Sequence, residues 1–168
     1  MEFFPASACF VILAIALYTD IKQRKIPNLL TLTAAVSGIL FHFINGSGQG
    51  ISYGAEGLLL GTALLFIPFL MGGMGGGDVK LLAALGSWLG PSGVLDVFFY
   101  GAFTGAVIAL FMIIRAGGLS RLKIICIDIL NLMFISQKRR PPSESEGFPY
   151  TTALAAGFLF SFIRGNFF

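Results

Sequence analysis

Charge is scarce in this chain. Only 11% of its residues are Asp, Glu, Lys or Arg, while 56% are hydrophobic, and its mean hydropathy is +0.87. A soluble domain carries about 25% charged residues, so a soluble globular fold is excluded. Histidine occurs once, at His42, and cysteine twice, at Cys9 and Cys126. Neither cysteine belongs to a Cys-x-x-Cys pair and His42 has no second His nearby, so no metal site is expected. A Ser or Cys nucleophile would lack a base partner for the same reason. The N-terminus shows no cationic stretch and no small-x-small cleavage site, so Phe3 to Thr19 reads as a retained first helix. The net charge of +3 comes from basic residues beside apolar runs. That placement marks membrane orientation, and nucleic acid is not an expected partner.

What the chain does have is apolar length. Its 168 residues hold about six spanning helices of roughly 20 residues, with no room for a separate soluble domain. The expected fold is all-α: a polytopic integral membrane protein forming one membrane-embedded domain over residues 1–168. The apolar segments are Phe3 to Thr19, Leu29 to Ile44, Ile51 to Met71, Val79 to Leu89, Val94 to Ile114 and Phe148 to Ile163. Asn45 to Gly50 reads as a polar, flexible loop, and Gly90-Pro91-Ser92-Gly93 as a break. The fourth segment is short, covering about 17 Å of a core of roughly 30 Å, and is expected to gain length from its flanks or from local thinning.

Basic residues set the orientation. Lys22, Arg24 and Lys25 follow the first segment; Arg115, Arg121, Lys123, Lys138, Arg139 and Arg140 follow the fifth. Six crossings put both clusters on one side, which is expected to be cytoplasmic, with the N-terminus outside. Residues 115–147 then form a cytoplasmic loop, in which Leu122 to Ile135 reads as an interfacial helix on anionic lipid.

Against this background, two aspartates stand out. Asp20 precedes Lys25-Ile26-Pro27-Asn28, and Asp78 ends Gly75-Gly76-Gly77-Asp78. An ionisable residue at membrane depth suggests function, because lipid offers it no solvation. The topology places both on the cytoplasmic side at similar depth. Each has a structural alternative: Asp20 as a surface ion pair beside three basic residues, Asp78 as the N-cap of the next helix. Five glycines in the six positions from Gly72 to Gly77 argue against helix interior there and leave room beside the carboxylate. Lys80 either stabilises ionised Asp78 or snorkels to headgroups. Structural roles are expected for Glu56, Asp96 and Asp128.

Asp20 with Lys25-Ile26-Pro27-Asn28, followed by Gly75, Gly77, Asp78 and Lys80 as Gly-x-Gly-Asp-x-Lys, resembles the type IV prepilin peptidases, membrane aspartic proteases of the Gly-x-Gly-Asp class. The resemblance runs through most of the chain, to Phe148-Pro149-Tyr150 before the last helix. It implies cleavage of the basic leader of prepilins or prepilin-like proteins at the cytoplasmic face of the inner membrane. It implies Asp20 and Asp78 as the catalytic pair, with Gly75, Gly77, Lys80, Pro27 and Asn28 in support. The chain looks like the short, peptidase-only branch, so N-methyltransferase activity is not expected.

Two carboxylates close together cannot both ionise cheaply, so the pair is expected to share a proton and to act on one water as acid and base. No metal or organic cofactor is required. A presenilin or signal-peptide-peptidase relative would place Tyr directly before the first Asp, where this chain has Thr19. A small transporter or structural subunit using the carboxylates for ion or proton relay would place them at mid-membrane depth.

Overall fold

The structure, a computed structural model, describes residues 3–71, 74–115 and 150–164. Every regular element among them is a helix: α1 (Phe3–Gln23), α2 (Asn28–Leu70), α3 (Gly76–Arg115) and α4 (Tyr150–Ile163). Phe4–Gln23, Asn28–Gly46, Gly50–Leu70 and Gly76–Phe111 are each long and apolar enough to cross a membrane, and Tyr150–Ile163 is a shorter apolar helix. The chain is therefore an all-α polytopic membrane protein. The expected interfacial helix at Leu122 to Ile135 lies outside the described residues, as does Asp128.

Helix α1 runs one turn further than its apolar pattern, so Asp20 sits inside its last turn. The turn closes with the Arg24 amide donating to the Asp20 carbonyl at 2.8 Å, and Arg24 takes a positive φ of 50°. Glycine or asparagine usually fills that position at a helix end.

The loop expected at 45–50 is instead taken into α2, which winds through it. The chain nevertheless reverses there. A Cβ built on Gly54 would stand 3.6 Å from the Ile39 Cα, and the His42 and Tyr53 rings lie 5.3 Å apart. A straight helix would separate residues 39 and 54 by about 22 Å. Asn28–Gly46 and Gly50–Leu70 therefore pack side by side as two limbs. The Asn45 side chain donates to the Phe41 carbonyl at 2.7 Å, satisfying an acceptor near the bend.

The expected break at Gly90-Pro91 is present. Gly90 adopts φ 71°, ψ −173° and divides α3 into residues 76–89 and 91–115. Such a break frees carbonyls that lipid cannot satisfy. Two find side-chain partners from α2: His42 Nε2 lies 2.9 Å from the Trp88 carbonyl, and the Tyr53 hydroxyl donates to the Leu89 carbonyl at 3.1 Å. The lone histidine thus serves the helix break.

The short fourth segment is the centre of the packing. Residues 81–90 are buried on every side, and Leu81, Leu82 and Leu85 are fully covered. A helix apolar all round must be enclosed. Glycines let its neighbour approach. A Cβ on Gly57 would run into the Gly86 carbonyl oxygen and one on Gly86 into the Gly57 carbonyl oxygen. A Cβ on Gly61 would stand 2.6 Å from the Leu82 carbonyl oxygen. Apolar side chains gain little by leaving lipid for protein, so close backbone contact supplies much of the helix association. Trp88 adds a buried bond, its indole N–H donating to the Ala34 carbonyl at 2.9 Å.

Residues Met1–Thr104 and Pro149–Phe168 form one compact unit and Gly105–Phe148 a second, whose described part is the last turns of α3. In the first unit, the start of α1 meets the end of α2's first limb: Phe4 stacks on Phe41 with centroids 5.2 Å apart, and Trp88 lies beside both. Glu56 and Asp96 lie toward this Gly90 end. The opposite end gathers the last turn of α1 and the first turns of α2, α3 and α4.

Candidate active site

The two sequence motifs meet at that opposite end. Ile26 packs on the glycine run: a Cβ on Gly77 would stand 3.2 Å from the Ile26 Cβ. Pro27, extended at φ −61° and ψ 130°, precedes α2, and its carbonyl accepts from the Thr31 amide at 3.3 Å. One residue fixed by this turn then reaches across. Asn28 opens α2, and its Oδ1 accepts from Lys80 Nζ at 2.9 Å. Lys80 is thereby bonded to Asn28. Residues two apart on a helix do not face each other, which explains why its ammonium is not aimed at Asp78.

Gly75, the residue before α3, takes the cap position that was the structural alternative for Asp78. Asp78 is the third helical residue. Its amide donates to the Gly75 carbonyl at 3.2 Å, and its carboxylate lies beside Gly75. An acid at the third helical position is the arrangement of a capping box. Gly76 and Gly77 form the first turn, where the usual helix penalty of glycine matters least because the amides have no intrahelical partner. Gly76 also rests against the Phe69 ring, at 3.3 Å for an added Cβ.

Asp20 and Asp78 come together. Both are half-buried, and Asp20 is close enough to act electrostatically on Asp78. Helix α4 closes the other side. The Thr151 hydroxyl donates to Asp78 Oδ1 at 3.2 Å, and Tyr150 lies within electrostatic reach of the same carboxylate. Gly75 stands by the other oxygen, where an added Cβ would be 3.4 Å from Oδ2. Two carboxylates within electrostatic reach of each other at the ends of helices, with one held by a hydroxyl, are equipped for acid–base chemistry on one water.

The sequence-named residues thus fall into three places: Asp20 with Asp78, Lys80 with Asn28, and Gly77 with the turn that carries Pro27. Thr151 was not singled out from sequence. Its neighbour Tyr150 stood in the closing Phe148-Pro149-Tyr150 run, which was the one available signal. Among the described residues, no three His, Cys, Asp or Glu side chains cluster as metal ligands.

The type IV leader peptidase family profile matches residues 7–110, which include both aspartate motifs. A prepilin leader peptidase/N-methyltransferase of Xanthomonas campestris pv. campestris is 32% identical over 112 residues, covering 60% of this chain and 37% of that protein. The protein of the same name from Neisseria gonorrhoeae is 31% identical over 107 residues, covering 60% and 37%. One from Bacillus subtilis is 27% identical over 169 residues, covering 99% of this chain and 58% of that protein. The chain therefore spans only part of the length of these curated relatives, about a third to three-fifths. No solved structure matches it. With the profile running through both aspartate motifs that the fold brings to one end of the helices, the chain belongs to the type IV leader peptidase family.

Proposed function

We propose that this chain is a membrane aspartic endopeptidase that cleaves the basic leader of type IV prepilins or prepilin-like proteins. One observation carries the reading: Asp20 and Asp78, from two separate helices, lie within electrostatic reach while their flanking motifs touch through Ile26 and Gly77. The peptidase half of the relatives' name is carried over because both carboxylates lie inside the matched region. In the reaction, one carboxylate takes a proton from water as the oxygen attacks the scissile carbonyl. The protonated partner donates a hydrogen bond to that carbonyl. Collapse of the tetrahedral intermediate breaks the C–N bond, and a proton passes to the leaving amine. The products are the leader's carboxylate and the new N-terminal amine.

Six crossings, an outside N-terminus and a cytoplasmic site in the inner membrane complete the proposal, supported by the basic residues Lys22, Arg24 and Lys25 beside Asp20. The carboxylates lie at helix ends, where an ion relay at mid-membrane depth would not place them. The test uses the full chain in proteoliposomes and a peptide with a basic leader ending in Gly before an apolar helix. Asp20→Asn and Asp78→Asn are each expected to lower kcat by at least about 10²-fold, as for a lost acid–base group. Near-normal cleavage by either variant refutes the assignment.

A further inference from the structure

The hydroxyl of Thr151 is the one side-chain hydrogen bond to Asp78 seen among the described residues, and it comes from outside the region that the family profile matches. Thr151 is fully buried, whereas Gly75, beside the other carboxylate oxygen, is exposed. Oδ1 therefore faces α4, and Oδ2 lies beside exposed Gly75. A hydroxyl has one proton to donate, and here it is committed to Oδ1.

We propose that Thr151 is a positioning residue that ties Oδ1 of Asp78 to α4, so that Oδ2 is the oxygen that takes and returns the proton. This rests on the reading of Asp20 and Asp78 as the acid–base pair. Without the tie, the carboxylate can turn about its χ2, a broad torsion with no deep wells, and present either oxygen to the water. The loss falls on the chemical step, since Thr151 is buried behind the carboxylate and away from an arriving peptide.

Helix α4 supplies its own control. Ser161 is as fully buried as Thr151, and its hydroxyl has no hydrogen-bond partner among the described residues. Ser161→Ala removes a buried hydroxyl from the same helix without touching the site.

The full chain in proteoliposomes is assayed with the same basic-leader peptide. Thr151→Val is expected to lower kcat by about 10- to 100-fold, the range set by a hydrogen bond to a charged group, and to leave KM within about threefold. Thr151→Ser should restore kcat to within about threefold of the parent, and Ser161→Ala should match the parent. Carbodiimide-driven coupling of an amine to Asp78, read by mass spectrometry, should also rise in Thr151→Val and not in Ser161→Ala. If Thr151→Val melts well below the parent, Thr151→Ala against Thr151→Ser decides by the same criteria. Parental kcat in Thr151→Val, a loss confined to KM, failure of the serine to rescue, or unchanged labelling overturns the inference. Asp20→Asn and Asp78→Asn run alongside: if they lose cleavage while Thr151→Val keeps it, only the role of Thr151 falls. If they keep cleavage, the reading of the site falls first.

Discussion

The two motif glycines should separate into different functions under a single added methyl. Gly75→Ala places that methyl 3.4 Å from Asp78 Oδ2, an ordinary van der Waals contact. Gly75 does not have a positive φ, so alanine fits its backbone. The stability cost is that of a poorer cap residue, about 0.5–1 kcal/mol. The chemical cost is larger. The methyl occupies the exposed side of Oδ2, where water must approach, and displacement of a reacting group by about 1 Å can cost on the order of 10²-fold in rate. The expectation is thus a variant that folds and inserts, melts close to the parent, and loses kcat by on the order of 10²-fold. Gly77→Ala behaves differently. The nearest described neighbours of its methyl are Ile26 side-chain atoms, the Cβ at 3.2 Å, which yields if the turn shifts by a few tenths of an ångström. It should cost about 1 kcal/mol or less and leave kcat within roughly threefold, provided the turn moves as a unit. The assay is kcat and KM for the basic-leader peptide in proteoliposomes, paired with thermal unfolding in detergent. Equal losses of kcat in the two variants would refute the division. A Gly75→Ala enzyme with parental kcat would refute the placement of water beside Oδ2.

Three further outcomes test the frame around the site. Gly61→Ala sets a methyl 2.6 Å from the Leu82 carbonyl oxygen, so the helices must part and stability should fall by about 1–3 kcal/mol, measured by thermal or detergent unfolding. Trp88→Phe removes the indole donor from the buried Ala34 carbonyl and should cost about 1–3 kcal/mol in the same measurement, with the site's KM unchanged. Lys80→Met and Asn28→Ala should be non-additive in a double-mutant cycle. The coupling should be about 0.5–1 kcal/mol, in keeping with an exposed bond, and additive effects would remove Lys80 from the link between the motifs.

Much of this was legible in the chain. Low charge and long apolar runs fix an all-helical membrane protein, because a bilayer leaves the backbone few other ways to satisfy its polar groups. Gly90-Pro91 announces its own break, since proline has no amide to continue the ladder. Counting crossings already puts Asp20 and Asp78 at one end. Local punctuation was less dependable. Asn45 to Gly50 reads as a loop, yet winds as helix through a reversal, because the packing of Gly54 against Ile39 overrides a weak local preference.

What the sequence by itself determined, then, is the class of fold, the family motifs and the shared end of the two carboxylates. These depend on composition, periodicity and order along the chain, which are local or additive. Only the tertiary structure decided that Lys80 bonds Asn28, that His42 and Tyr53 serve the break at Gly90, that Gly75 and Gly77 face different neighbours, and that Thr151 holds Asp78. Apart from Gly75 against Asp78, each of those contacts joins residues far apart in sequence, and its geometry is set by how closely glycine-lined helices approach, a distance that no single segment encodes.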